Sequence, residues 1–137
     1  MKVKPTSKVV LSPTNFKAKA TSRAFSYAID TALEKGGSNT GPTPVEYFLS
    51  AIGGCVAITL KTFADKQNWD LGHISVEVVE ETKLTPDGIV KRITENISVE
   101  KEITDVQLIK LKEHAKNCPV AQMVSNETTI NRTIKFT

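Results

Sequence analysis

Fourteen consecutive residues, Tyr47 to Leu60, carry no charge, and they sit inside a segment with helical spacing. As a helix that run is roughly 21 Å long, shorter than the ~30 Å hydrocarbon core of a bilayer. It reads as a helix enclosed by protein. Its start is well marked: Thr43 suits the N-cap, Pro44 the first helical position, and Glu46 completes a capping box. Val45, Phe48, Leu49, Ile52, Val56, Leu60 and Phe63 continue the spacing to about Gln67. The opposite face is also uncharged between Tyr47 and Leu60, so the helix is expected to be covered on all sides. Gly53 and Gly54 lie inside it. Each costs about 1 kcal/mol relative to Ala in a helix, which predicts either a bend or a close backbone approach.

The segments around this helix alternate like strands. Phe16, Ala18 and Ala20, then Phe25, Tyr27 and Ile29, flank a turn near Thr21–Arg23 and predict a hairpin with Arg23 at or just after its tip. Glu34 to Pro42 is rich in turn formers and reads as a loop between two halves of one domain, residues 1–137. His73 to Glu81 and Gly88 to Glu100 alternate on either side of the turn Thr85–Pro86–Asp87–Gly88. Ile74, Val76 and Val78 share one face, as do Ile93, Ile97 and Val99 on the partner. Thr104 opens a second helix, with Gln107 completing another capping box. Pro119 breaks it at Asn117–Cys118, a short helix restarts there, and Thr128 to Phe136 is expected to end the chain as a strand. This order predicts an α+β fold.

Composition narrows the function. Eighteen basic and 15 acidic residues leave a net charge of +3, spread without the clustered stripe that nucleic-acid binding requires. Two cysteines exclude a disulfide scaffold. Neither His73 nor His114 has a Cys or carboxylate at ligand spacing, which argues against zinc. Met1 to Pro13 has three lysines and no continuous apolar run, so no secretory leader or membrane segment is expected. The expected setting is a bacterial-type cytoplasm, where paired thiols are more often redox-active than structural.

The two cysteines therefore carry most of the chemical interest. Cys55 follows the glycine pair on the uncharged helix. It is either a small hydrophobe filling a core or a nucleophilic thiolate. Apolar burial raises a thiol pKa, so a reactive Cys55 needs a cation brought from elsewhere. Cys118 precedes Pro119 at an expected N-cap, where the helix dipole and free N–H groups favour a thiolate. It is either a helix-break residue or a resolving or attacking thiol. The 62 intervening residues carry no information on the distance between the sulfurs. Arg23 is the candidate cation, permanently charged at a hairpin tip, or else a solvated turn residue. Glu46 lies nine residues before Cys55, on the opposite helix face and roughly 13 Å away along the axis. It reads as a capping residue, with an auxiliary role at the site as the alternative. Trp69 reads as a packing residue.

The stretch from Thr40 to Cys55, TGPTPVEYFLSAIGGC, resembles the OsmC/Ohr family of osmotically induced and organic-hydroperoxide-resistance proteins. So does Lys116–Asn117–Cys118–Pro119–Val120. The resemblance implies antiparallel sheets wrapped around a long central helix in an intertwined homodimer. It implies a peroxidatic Cys55, a resolving Cys118, and Arg23 as the thiolate-activating arginine, matched by its place in the first hairpin. Hydroperoxide would be reduced through a Cys55 sulfenic acid and a Cys55–Cys118 disulfide, which an external dithiol reopens. No metal, haem or flavin enters that chemistry. The chain departs from the best-characterised members at Val45, where they carry a glutamate directly after the helix-opening proline; here the acid is Glu46. Two other functions fit the same residues: a non-enzymatic dimer holding a small apolar ligand, and a different thiol reaction such as ester hydrolysis at Cys55.

Overall fold

The computed structural model describes residues 4–126 and 128–136. The chain divides into two compact units, Met1–Phe48 and Leu49–Thr137.

The first unit contains a three-stranded antiparallel sheet in the order β1 (Lys8–Leu11), β2 (Ala18–Ser22), β3 (Phe25–Ile29). The hairpin read from the alternation is β2–β3, with Ser22 opposite Phe25 and Arg23–Ala24 as the turn. Strand β1 was not anticipated. Its Val9, Val10 and Leu11 are apolar in succession rather than alternating, and all three are more than half exposed. The loop after β3 holds a single 3-10 turn, Leu33–Lys35, and is organised by Asp30. That carboxylate is buried and accepts hydrogen bonds from the Ser38 and Thr40 hydroxyls and from the N–H groups of Thr31, Ser38 and Thr40. The Ser38 hydroxyl, followed by the Thr40 N–H, holds the Asp30 carboxyl well below the usual carboxylate range. A loop of polar turn formers thus acquires one fixed conformation before the helix begins.

Helix α1 (Pro44–Lys66) starts where the capping pattern places it. The Thr43 N–H donates to Glu46 Oε1 at 2.8 Å, and the Glu46 N–H donates to Thr43 Oγ1 at 3.2 Å. Its length and mean hydropathy, 1.5 over 18 residues, would also suit a membrane span. Its buried residues instead make it the core helix of the second unit. There Ile52, Val56, Leu60 and Ala64 form a stripe at intervals of four, closed by Leu71, Leu111, Ala115 and Cys118. Burying each of the larger side chains is worth about 1.5–3 kcal/mol. Strands β4 (Ile74–Thr85) and β5 (Gly88–Val99) form a hairpin whose register sets Ile74 opposite Val99, Val76 opposite Ile97 and Val78 opposite Glu95. Ile74, Val76, Val78 and Val99 pack against the core stripe. Helix α2 (Asp105–Ala115) carries the expected Thr104–Gln107 capping box. A break at Asn117 leads into α3 (Pro119–Ser125).

One expectation needs correction and two are sharpened. Thr128 to Phe136 is not a strand: residues 128–136 lack regular structure, with Ile134 and Phe136 almost fully exposed. Alternation makes a segment suited to a sheet, but a strand exists only when its N–H and C=O groups find an edge; none of the described strands pairs with it. The all-round apolar helix is not covered on all sides by its own chain, since Ile58 is 69% exposed. The glycine pair does two different things. A Cβ on Gly53 would meet Val78 Cγ2 at 3.2 Å and the Val76 carbonyl oxygen at 3.6 Å, so β4 approaches α1 there; a Cβ on Gly54 would meet nothing within 4 Å.

Candidate functional site

Cys55 and Cys118 are brought together. Cys55 is half-buried on α1 in the turn that follows Ala51, and it packs at the edge of the Ile52–Val56–Leu60 stripe. Cys118 is fully buried at the N-cap of α3, where its Sγ accepts a hydrogen bond from the Ala121 N–H at 3.4 Å. The two thiols are near neighbours, close enough for one to perturb the other, and both are free. The helix break at Pro119 has a direct consequence here. It turns the chain after α2 so that the residue before the proline points into the core rather than along the helix.

The electrostatics of the buried thiol run against the cap argument. Burial first, and the adjacent Cys55 thiol second, push the Cys118 thiol above its ordinary value. The Ala121 and Val120 N–H groups pull the other way and are outweighed. The expectation that this position favours a thiolate is therefore corrected. A seven-residue helix offers a cap but little dipole, and a completely buried sulfur loses more by giving up solvation.

Outside Cys55 the α1 surface opens into a groove of about 670 Å³, lined by Ser50, Ala51, Gly54 and Ile58 of α1 and by Asn117 and Pro119. Gly54, Asn117 and Pro119 were named from the sequence, but for their effect on the backbone and not as lining a common groove. The signal was available: Ala51 and Thr59 stand four residues either side of Cys55, and one face of a helix repeats at that interval. Asn117 and Pro119 reach the groove only because the break after α2 lies against α1, which no local pattern encodes.

Arg23 and Glu46 belong to the first unit. Arg23 sits in the β2–β3 turn with φ 54°, a left-handed backbone that a non-glycine residue adopts at a cost of about 1–3 kcal/mol. Its guanidinium lies over the Phe25 ring, 4.9 Å from the centroid, and forms no ion pair among the described residues. Glu46 is occupied by the capping box, and the Thr43 N–H and hydroxyl lower its carboxyl below the ordinary value. Of the remaining candidates, Trp69 packs edge-on to Phe63 at 5.4 Å between centroids, and His114 stacks on Phe63 at 3.6 Å. Both histidines stand outside any cluster suited to a metal among the described residues.

A model of the OsmC-like protein family matches residues 36–133, a span that includes both cysteines and the helix between Thr43 and Gln67. The chain belongs to the OsmC-like family. The same fold recurs in solved structures at low identity. An OsmC-like protein from Mycoplasma pneumoniae is 19% identical, with a TM-score of 0.73 over 90% of this chain and 89% of its own. An organic hydroperoxide resistance protein from Legionella pneumophila is 16% identical, with a TM-score of 0.67 and 90% of each chain covered. Another from Elizabethkingia anophelis is 14% identical, with a TM-score of 0.70 over 91% of this chain and 90% of that one. No curated protein matches the sequence. At these identities the likeness carries the fold: two small antiparallel sheets and one long helix in an α+β arrangement. Within that OsmC-like fold, the thiol pair is the feature with chemistry of its own.

Proposed function

We propose that the chain is a cysteine-based hydroperoxide reductase acting as a homodimer, with its 137 residues working as one OsmC-like domain. The single observation that supports this most is the pairing of a half-buried thiol facing an open groove with a fully buried one beside it. Oxidant reaches the first and not the second. Cys55, as thiolate, attacks a peroxide oxygen; the O–O bond breaks and the alkoxide leaves as alcohol after taking a proton. Cys55 is left as sulfenic acid. The Cys118 sulfur then bonds to the Cys55 sulfur, and the sulfenic oxygen departs as water with the Cys118 proton. An external dithiol reopens the disulfide by exchange, giving up two electrons and two protons. A Cys118 held as thiol until that moment does not compete for peroxide. Apolar groove walls such as Ile58, Ala51 and Pro119 favour organic hydroperoxides over hydrogen peroxide.

Arg23 is the proposed stabiliser of the Cys55 thiolate. Its strained backbone, its guanidinium without an ion pair among the described residues and its place in the first hairpin support that role. Glu46 is proposed as auxiliary through its capping of α1, since Val45 occupies the position of the family glutamate. The bare outer face of α1 supports the dimer, because a second copy would cover Ile58 and Gly54. Titration of wild type, Cys55→Ser and Cys118→Ser with tert-butyl hydroperoxide and with hydrogen peroxide, read by intact mass, tests the reading. One equivalent of organic peroxide is expected to give one intrachain disulfide in wild type and a sulfenic acid in Cys118→Ser. Cys55→Ser protein that consumes peroxide as fast as wild type would end the proposal.

A further inference from the structure

The inner face of the β4–β5 hairpin contains a misplaced charge. Val78, Val76 and Ile74 line that face on β4, and their partners on β5 are Glu95, Ile97 and Val99. Glu95 therefore interrupts an apolar row on β5, half-buried between Ile97 and Ile93. It has no hydrogen bond or ion pair among the described residues, and burial alone pushes its carboxyl above the ordinary value. A half-buried carboxylate without a partner destabilises the fold that holds it.

Beside it lies a cavity of about 370 Å³ formed by α1, β5 and α2, with Leu60, Val99, Ile103 and Leu111 among its walls. This is within the size range of small-molecule sites, which combine apolar walls with a few converging polar groups. The cavity shares no residue with the groove at Cys55. Lys112 also lines it but is exposed on α2 and makes no ion pair with Glu95. The carboxylate at the cavity is thus unmet by any cation of its own unit, and apolar surface lies next to it.

We propose that this cavity binds a small apolar molecule carrying a protonated primary amine, its hydrocarbon body against Leu60, Val99 and Leu111 and its ammonium on Glu95. The complement is chemical: an ammonium supplies charge and donors to an isolated acceptor, while an apolar tail fills space that water occupies poorly. A carboxylate ligand would instead set two like charges together.

The test uses the full-length protein, titrated separately with hexylamine hydrochloride and sodium hexanoate and followed by methyl NMR. Hexylamine is expected to shift the Val99, Leu60 and Leu111 methyls saturably, and hexanoate to leave them unmoved. Glu95→Gln should weaken hexylamine by about tenfold or more, with a melting temperature at or above that of wild type showing that the fold persists. Glu95→Asp, which keeps the charge, should retain most of the affinity. Three results overturn the proposal: no saturable shift at these methyls, hexanoate binding as well as hexylamine, or full hexylamine affinity in Glu95→Gln. The readout is independent of peroxide turnover, so it stands or falls apart from the reductase reading.

Discussion

The two faces of α1 within the second unit are both free of charge as far as Leu60 and meet opposite fates. On one, Ile52, Val56, Leu60 and Ala64 are all at most 2% exposed. On the other, Ser50, Ala51, Gly54 and Ile58 line an open groove, and Ile58 is 69% exposed. Charge does not distinguish them, although the buried face has the larger apolar side chains. What separates them is what the rest of the chain can reach: one hairpin and one helix pair close a single side. A helix apolar on every face therefore implies more covering than one chain of this size supplies. Cys55 sits at the seam between the faces, its sulfur against the buried Cys118 and its exposed edge in the groove.

The comparison can be attacked first where it is strongest. Leu60→Ala should lower unfolding free energy by about 2–5 kcal/mol, the range for truncating a fully buried leucine, measured by urea denaturation. A loss below 1 kcal/mol would mean that the buried face is not the stability core. The opposite face responds through assembly. Ile58→Glu is expected to convert the proposed dimer to monomer in light scattering, while far-UV dichroism stays unchanged. A dimer that survives this change would place its interface elsewhere.

The thiols give the next contrast. Cys55 should react with iodoacetamide at least about tenfold faster than Cys118 at pH 8, since alkylation needs an accessible thiolate. Raising the pH should close part of the gap. The Cys118 thiol is pushed up, so its thiolate fraction grows only above the ordinary thiol range. Equal rates at pH 8, read by peptide mass, would show that burial does not protect the second sulfur. The smallest effect compares neighbours. Gly54→Ala should leave the protein more stable than Gly53→Ala by about 1 kcal/mol, because both gain helix propensity but only the Cβ at 53 must displace Val78. The reverse order would show that Gly54 is itself pressed against a partner.

Much of the fold could be read from the chain. The start of α1 follows from Thr43, Pro44 and Glu46, because capping is settled within four residues. The β4–β5 hairpin follows from the turn at Thr85–Gly88, and the second capping box from Thr104 and Gln107, for the same reason. Strand β1 and the segment 128–136 went wrong in opposite directions. Lys8–Leu11 lacks alternation yet finds β2 as a partner, whereas Thr128–Phe136 alternates and finds none. Strand formation depends on an available edge, and an edge is not a local property. The candidate site divides in the same way. Cys55 and Cys118 could be named from residue type and motif, and Arg23 from its place in the first hairpin, but that Ser50, Asn117 and Pro119 line one groove could not be read from them.

Local chemistry, then, is what the sequence by itself determined: where helices begin, where turns reverse the chain, and which two residues carry thiols. Those outcomes depend on hydrogen bonds and sterics within a few residues. Only the tertiary structure decided that Cys118 is the buried sulfur and Cys55 the half-exposed one, that the glycine at 53 admits a strand while its neighbour faces open space, and that Glu95 is half-buried within an apolar row. Each of these is a question of which distant surface excludes water from a given atom. Exclusion of water belongs to the packed molecule, not to any window of its sequence.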